Sequence, residues 1–286
     1  MQKIPYMPLT AAPFRQNGEY REVLPHHPEL CRYIRCFWGS EHPYVRRSGD
    51  TGIVVPDTCA DIIYRIDYTA NRITGGFCGI NDVSFSETDN SMDGHLVSLF
   101  AIRFYAWGAC AFSEDSMKGT LNGYFDVLSR FCWLDRLIRP LLFEKSGLKE
   151  RAGLAEGMFL RRSADAREHP ALHRAVMEIL LQKGSLNAAK LAKDCFISER
   201  QLERLFHEYI GITPKKLCNL VRYQSVWGDV VRNPFFTVQD AVWQYGYTDQ
   251  SHLLREFKRY HAMDIQTARK YAYDVGNIQY PQEISC

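Results

Sequence analysis

Arg200, Glu203, Arg204 and His207 recur at i, i+3, i+4 and i+7, a spacing that puts four polar side chains on one face of an α-helix. Such a row has definite chemistry. Guanidiniums pair with the acceptor edge of guanine or with phosphates, and a carboxylate accepts from cytosine or orients an adjacent arginine. The opposite face reads Leu202, Leu205, Phe206 and Tyr209 at the same intervals, an apolar stripe for a small core. Ser198 followed by Gln201 is a capping box that fixes the helix start. Any amphipathic helix also turns a charged face to solvent, so the row needs a second observation.

A second copy supplies it. With an offset of about fifty residues, the segment 198–211 aligns with 249–262, setting Leu202 on Leu253, Arg204 on Arg255, Phe206 on Phe257 and Tyr209 on Tyr260. A shorter helix is expected before each copy. Asn187–Cys195 turns Ala188, Leu191 and Ala192 inward, Thr237–Gln244 repeats that rhythm, and Gly246 supplies the sharp bend. Each pair is a helix-turn-helix unit.

These units resemble the DNA-binding domain of the AraC/XylS family of transcriptional regulators over about Leu172–Tyr271. The resemblance rests on Phe206 followed by Gly211-Ile212-Thr213-Pro214, on Arg222, and on the run Gly246-Tyr247-Thr248-Asp249-Gln250-Ser251-His252-Leu253-Leu254-Arg255-Glu256-Phe257-Lys258. It departs at Ala262-Met263-Asp264-Ile265, where a G-x-[ST]-P ending is usual, and this predicts a last helix that enters at another angle or is less firmly capped. Val226 and Val242 replace small residues. The resemblance implies two recognition helices in the major groove of double-stranded DNA, separated by a linker helix over Pro214–Val230 of about 25 Å. Arg200, Glu203, Arg204, Gln250, Ser251, Leu254 and Arg255 would meet bases; His207, Lys215, Lys216, Lys258 and Arg259 would meet phosphates. Beyond DNA, the expected partners are a second copy of the chain, through the helices of 125–160, a small-molecule effector and, for an activator, RNA polymerase.

The remaining chain must position and control these units. Its 286 residues, 46% of them hydrophobic, suffice for two cores. Residues 168–273 carry about +4 and the rest about −2, a modest basic bias. The expected division is a β-rich domain with a helical tail over 1–165, the helical pair over 166–275 and a tail over 276–286. No targeting signal or membrane-length apolar run is read, so a cytoplasmic location is expected. Nine scattered cysteines without a C-x-x-C pair read as reduced core residues.

Between Tyr20 and Tyr105, β-branched and aromatic runs separated by turn residues predict strands at 34–39, 51–56, 61–66, 72–77 and 96–104. After Trp107 the pattern turns helical, over Phe125–Phe143 up to Pro140, Leu148–Leu160 and Ala171–Leu181. The fold class is α+β: a β-rich, cupin-like front domain with trailing helices, then an all-α double helix-turn-helix domain. Val54-Val55-Pro56-Asp57-Thr58-Cys59-Ala60-Asp61-Ile62-Ile63, Gly75 and Ala101–Ala109 also resemble an uncharacterised N-terminal domain of some AraC-type regulators. Thr58 stands where that pattern has glycine, and Ala106-Trp107 stands around its proline.

Trp38, Tyr64, Phe77, Phe104 and Trp107, with Arg103 as polar anchor, are the candidate effector pocket; ordinary core packing explains the same residues. Arg103 either points outward by alternation or pairs inside with Asp57 or Asp61, the internal pair being preferred. His26, His27, Cys31 and Cys36, with Cys59 or Cys78, form a metal or redox alternative whose spacing fits no defined site, so no metal or cofactor is expected. A protein-interaction front domain is the other alternative. No H-E-x-x-H, G-x-S-x-G, phosphate-binding or dinucleotide-binding motif occurs, and His95 stands alone among the strands. An enzyme is not expected.

Overall fold

The computed structural model describes residues 6–9, 20–46, 53–86 and 93–274. Its front half holds strands β1 (Tyr20–Val23), β2 (Ile34–Ser40), β3 (Tyr44–Val45), β4 (Ile53–Val54), β5 (Cys59–Asp67), β6 (Arg72–Cys78), β7 (Phe85–Ser86), β8 (Leu96–Tyr105) and β9 (Tyr124–Asp126). Helices follow: α1 (Ala109–Phe112), α2 (Leu128–Ile138) and α3 (Leu148–Arg162), then α4 (Pro170–Leu181), α5 (Ala188–Asp194), α6 (Glu199–Tyr209), α7 (Pro214–Arg232), α8 (Val238–Tyr245), α9 (Gln250–His261) and α10 (Ile265–Asp274). The main sheet runs β1-β2-β8-β5-β6-β9, with β3 also on β8, and every pairing is antiparallel. A small β4–β7 pair stands apart. Of the expected strand 51–56 only Ile53–Val54 forms among the described residues; Thr51, Asp89 and the tail 276–286 lie outside them.

Alternation along the strands decides which residues face the helices. Phe37, Ile62, Tyr64, Phe77, Phe100, Ile102 and Phe104 share one sheet face and are fully buried with Phe131 of α2 and Phe159 of α3. Phe104 stacks 6.0 Å from Phe131 and meets Phe159 edge-on at 5.6 Å, the preferred aromatic geometries. The opposite face carries Trp38, Asp61 and Arg103. Arg103 donates Nε and Nη2 to the two Asp61 oxygens at 2.9 and 3.1 Å, lies 3.7 Å from Asp57 and covers the Trp38 ring at 5.2 Å. The internal ion pair is therefore the arrangement adopted.

Two expectations change. Strands do not stop at Trp107, because Tyr124–Asp126 adds to the open edge of β6 opposite Gly76–Cys78, and Phe125 is strand rather than helix. Pro140 lies in a 3-10 turn, Arg139–Leu141, that closes α2. Arg161 and Arg162 complete α3, which shortens the connection to α4 to residues 163–169.

Thr58 has φ 63, a left-handed conformation that β-branched residues rarely adopt and that explains why a glycine suits the position. Here the strain is held by partners. The hydroxyl bonds Tyr6 Oη at 2.8 Å, and Asp57 Oδ1 accepts from the Cys59 amide at 2.9 Å.

Candidate nucleic-acid interface

Each helix of the paired units starts on a side-chain cap. Asn187, Ser198, Thr213, Thr237 and Asp249 accept from the amide three residues on, and Ser198 with Gln201 completes the capping box. These caps set where each helix begins, and hence which side chains project. On α6, Leu202, Leu205 and Phe206 are buried while Arg200, Glu203, Arg204 and His207 are exposed. On α9, Leu253, Phe257 and Tyr260 are buried while Gln250, Ser251, Leu254, Arg255, Lys258 and Arg259 are exposed. Both polar rows are presented to solvent by separate helix-turn-helix units.

α7 joins them over 19 residues, a length of about 28 Å at 1.5 Å per residue. Leu217, Leu220, Val221, Val226 and Val230 seat it in the shared core, and Val226 and Val242 are accommodated there as buried residues. Arg222 ties α7 to α9 with bonds of 3.0 and 2.9 Å to the Glu256 oxygens, while Tyr247 donates its hydroxyl to Glu256 at 2.7 Å. The guanidinium also covers the Tyr247 ring at 4.4 Å.

The departure at 262–265 is met locally. Ala262 takes the left-handed conformation, φ 61, that a glycine would provide, and Asp264 Oδ1 accepts from the Thr267 amide at 2.9 Å. The final helix is capped after all. His261, just before this turn, is buried and bonded to Tyr223 Oη at 2.8 Å, and burial holds its imidazole down to about 4.

Lys216 differs from the other expected phosphate contacts. Its ammonium is bonded to Asp82 of the front half, and although burial opposes ionisation there, Lys216 and Asn122 hold the Asp82 carboxyl below the usual range. A lysine committed to that pair does not face a groove, so it leaves the expected phosphate set. Lys215 remains exposed.

The candidate effector residues do not converge. Tyr64, Phe77 and Phe104 are spent on the helix-covered core, Trp38 and Arg103 occupy the other sheet face, and Trp107 stacks on Tyr105 at 4.9 Å beyond the end of β8. Period-two alternation separates them. Among the described residues no group of three His, Cys, Asp or Glu is placed to hold a metal ion. His26 pairs with Glu156, and burial pushes the Cys36 and Cys59 thiols up, away from the reactive thiolate form.

Two features escape a sequence reading. The β2–β8 register slips between Ile34 and Cys36, making Arg35 the extra residue of a bulge. Its side chain is 8% exposed, touches Glu22 only at 3.5 Å and leaves Nε and Nη1 without partners. The second is a cavity of about 500 Å³ where Tyr33 and Trp107 of the front half meet His169, Arg174 and Met177 near α4 and Tyr209 of α6. Only Trp107 among the expected effector residues lines it.

Residues 191–271 match the family model of a helix-turn-helix domain, and residues 21–126 match a domain of unknown function, DUF6597. No curated protein matches the chain. Similar solved structures include an AraC-type transcriptional regulator from Chromobacterium violaceum, 21% identical, with TM-score 0.34 over 36% of this chain and 91% of that one. The C-terminal domain of AraT, a response regulator from Geobacillus stearothermophilus, is 16% identical, with TM-score 0.35 over 42% and 97%. ToxT from Vibrio cholerae O395 is 12% identical, with TM-score 0.39 over 84% and 98%.

The capped pair of units and the matched domain form a double helix-turn-helix domain. Within the matched domain, the residue pattern of 206–258 is similar to that of AraC/XylS transcriptional regulators. Among the described residues no helix is long and apolar enough to cross a membrane.

Proposed function

We propose that one chain reads two adjacent major-groove segments with α6 and α9, and that the front half controls how this pair is presented, with no catalytic step. The observation that carries the reading is the pair of exposed polar rows on capped helices joined by one buried linker helix. Arg200, Glu203 and Arg204 read bases from the first unit; Gln250, Ser251, Leu254 and Arg255 read them from the second. His207, Lys215, Lys258 and Arg259 hold phosphates. The proposed division is a front domain over 1–165 and a DNA-binding domain over 166–275. A homodimer, a small-molecule effector, a cytoplasmic location and, for an activator, contact with RNA polymerase belong to the same reading.

Selection of bound duplexes from a random pool tests it, because a regulator of this kind enriches a two-part site spanning about two helical turns. Enrichment of no sequence would overturn the reading. On the selected site, Arg204→Ala is expected to cost about 1–3 kcal/mol and relax one base position. Lys258→Ala should weaken all sequences alike and lower the salt slope by about one. Uniform losses from both, measured by titration at several salt concentrations, would contradict the division of roles.

Control is read from direct contacts between the halves. Gln224 of α7 is buried, and its amide bonds the Leu9 amide at 2.8 Å, the Leu9 carbonyl at 3.1 Å and the Pro56 carbonyl. The Met117 amide donates to the Glu208 carbonyl at 2.8 Å, fixing the end of α6 to the front half. Gln224→Ala leaves buried polar groups unpaired and is expected to cost about 1–3 kcal/mol in urea unfolding, with a changed affinity for the selected site. An unchanged affinity would show that the linker contact carries no control.

A further inference from the structure

We propose that Gln239 of α8 is a positioning residue for base reading by α9, holding the Gln250 amide in the orientation that pairs with an adenine edge. This rests on the reading that α9 lies in the major groove, and it adds which base the first residue of that helix selects and what enforces the choice.

Of the seven side chains read as base contacts, Gln250 alone makes a side-chain hydrogen bond among the described residues, its Nε2 donating to Gln239 Oε1 at 2.6 Å. Both side chains are exposed, so the bond competes with water and adds little to stability. What it fixes is direction.

The two amides meet because their helices are fixed. Asp249 caps α9 by accepting from the His252 amide at 2.8 Å, which makes Gln250 its first residue. Thr237 caps α8 by accepting from the Asp240 amide at 3.1 Å, which makes Gln239 its second. Ala241, Val242 and Tyr245 of α8 share one core with Leu253 and Phe257 of α9, and Tyr245 donates its hydroxyl to Asp229 of α7 at 2.6 Å. A side chain oriented before DNA arrives pays less ordering cost on binding.

The donor and acceptor left over select the base. With one amide hydrogen given to Gln239, Gln250 keeps one N–H and the Oε1 acceptor. Adenine presents the complement in the major groove, an N7 acceptor beside an N6 donor, whereas guanine presents two acceptors, cytosine a donor and thymine an acceptor beside a methyl group. Reversing the Gln250 amide alone would set its oxygen against the Gln239 oxygen. Reversing both would turn the Gln239 oxygen outward, and the first helix of such a unit crosses the backbone, where phosphate oxygens only accept. The adopted orientation instead leaves the Gln239 Nε2 hydrogens free to donate there.

The first unit lacks this device. Counted from its caps, Asn187 and Ser198, the matching positions are Ala189 and Glu199, and an alanine side chain has no hydrogen-bonding group. The enforced adenine choice therefore belongs to one half of the DNA site.

The test uses the full chain and the duplex enriched by the unaltered protein, remade with each of the four base pairs, and with 7-deazaadenine, at the position that Gln250→Ala relaxes. The unaltered protein is expected to favour adenine there by about tenfold, and to lose about fivefold with 7-deazaadenine, which has no N7 acceptor. Gln239→Ala should cut the adenine preference to about twofold, leave preferences in the first half unchanged, and have no further effect on base preference once Gln250→Ala is present. Gln239→Glu keeps an acceptor for Gln250 but sets a carboxylate beside the phosphates, so it should retain the preference while weakening all sequences alike. Thermal midpoints of the variants confirm folding.

A preference for guanine, no position relaxed by Gln250→Ala, or a Gln239→Ala variant that keeps the full adenine preference would each overturn the proposal. So would a Gln239→Glu variant that loses the preference. Failure of the groove reading is distinguishable, because the unaltered protein would then enrich no sequence at all, whereas the proposal alone fails where a two-part site is enriched and any of these results is found.

Discussion

Arg222→Met is expected to destabilise the second helix-turn-helix unit by about 3–5 kcal/mol, because it strands Glu256 as an uncompensated charge in a site from which water is largely excluded. The side chains of Arg222 and Glu256 are only 14% and 11% exposed. Glu256 would keep the Tyr247 hydroxyl, which offsets part of the loss and not the charge. Tyr247 loses its guanidinium cover at the same time. Since Glu256 lies on the same helix as Gln250 and Arg255, the second half of the DNA site should lose protection in footprinting before the first half does. The double change Arg222→Met with Glu256→Met should recover more than half of the stability, as replacing both buried partners by apolar side chains often does. Urea unfolding of the two single variants and the double variant checks this as a thermodynamic cycle. Single losses below about 1 kcal/mol would mean that core packing alone holds α7 to α9.

The DNA-facing units were legible because their information is local. A capping box, a period of 3.6 and a repeated turn are written in consecutive residues, and Ser198, Leu202 and Phe206 occupy the places those rules assign. The strands β5, β6 and β8 were legible for the same reason. What was hidden depends on partners distant in sequence. Tyr124–Asp126 is a strand only because β6 offers it an edge, and Arg35 faces inward only because a bulge turns it. The six expected effector residues are dispersed over two sheet faces, because aromatic composition does not tell a core from a pocket; strand parity does, and it needs the register. Lys216 looked like its neighbour Lys215 until Asp82, 134 residues away, claimed it. The sequence 262–265 lacks the usual G-x-[ST]-P ending. Ala262 and Asp264 answer it with the same backbone geometry and a different cap, so substitutions at Ser251 and Leu254 are expected to matter as fully as those on the first recognition helix.

Acid is expected to loosen the packing of α7 on α9 through His261. The imidazole is 3% exposed among Tyr223, Trp227 and Phe257, and burial lowers it to about 4 from an ordinary value of 6.5. A base depressed by folding contributes stability that is fully present above its unfolded value. Between about 6.5 and about 4 the unfolded chain takes up the proton first, and that stability is lost as pH falls. From pH 7.5 to 5.0 the loss amounts to about 2 kcal/mol, and about 3 kcal/mol is gone once pH is below both values. Asp57 works in the opposite sense. Burial, with the neighbouring Asp61, raises it above the usual carboxylate range against the pull of Arg103, so acidification over the same interval returns part of that stability. The native protein should therefore show a shallow profile that conceals the histidine. His261→Phe keeps the ring, removes the titration and leaves Tyr223 without its partner, lowering stability near neutral pH while abolishing the acid-sensitive part. The difference between native and variant unfolding energies, measured in urea at pH 7.5 and 5.0, should shrink by about 2 kcal/mol at the lower pH. A difference that stays constant would place the acid response elsewhere than in the contact between the linker and the second recognition helix.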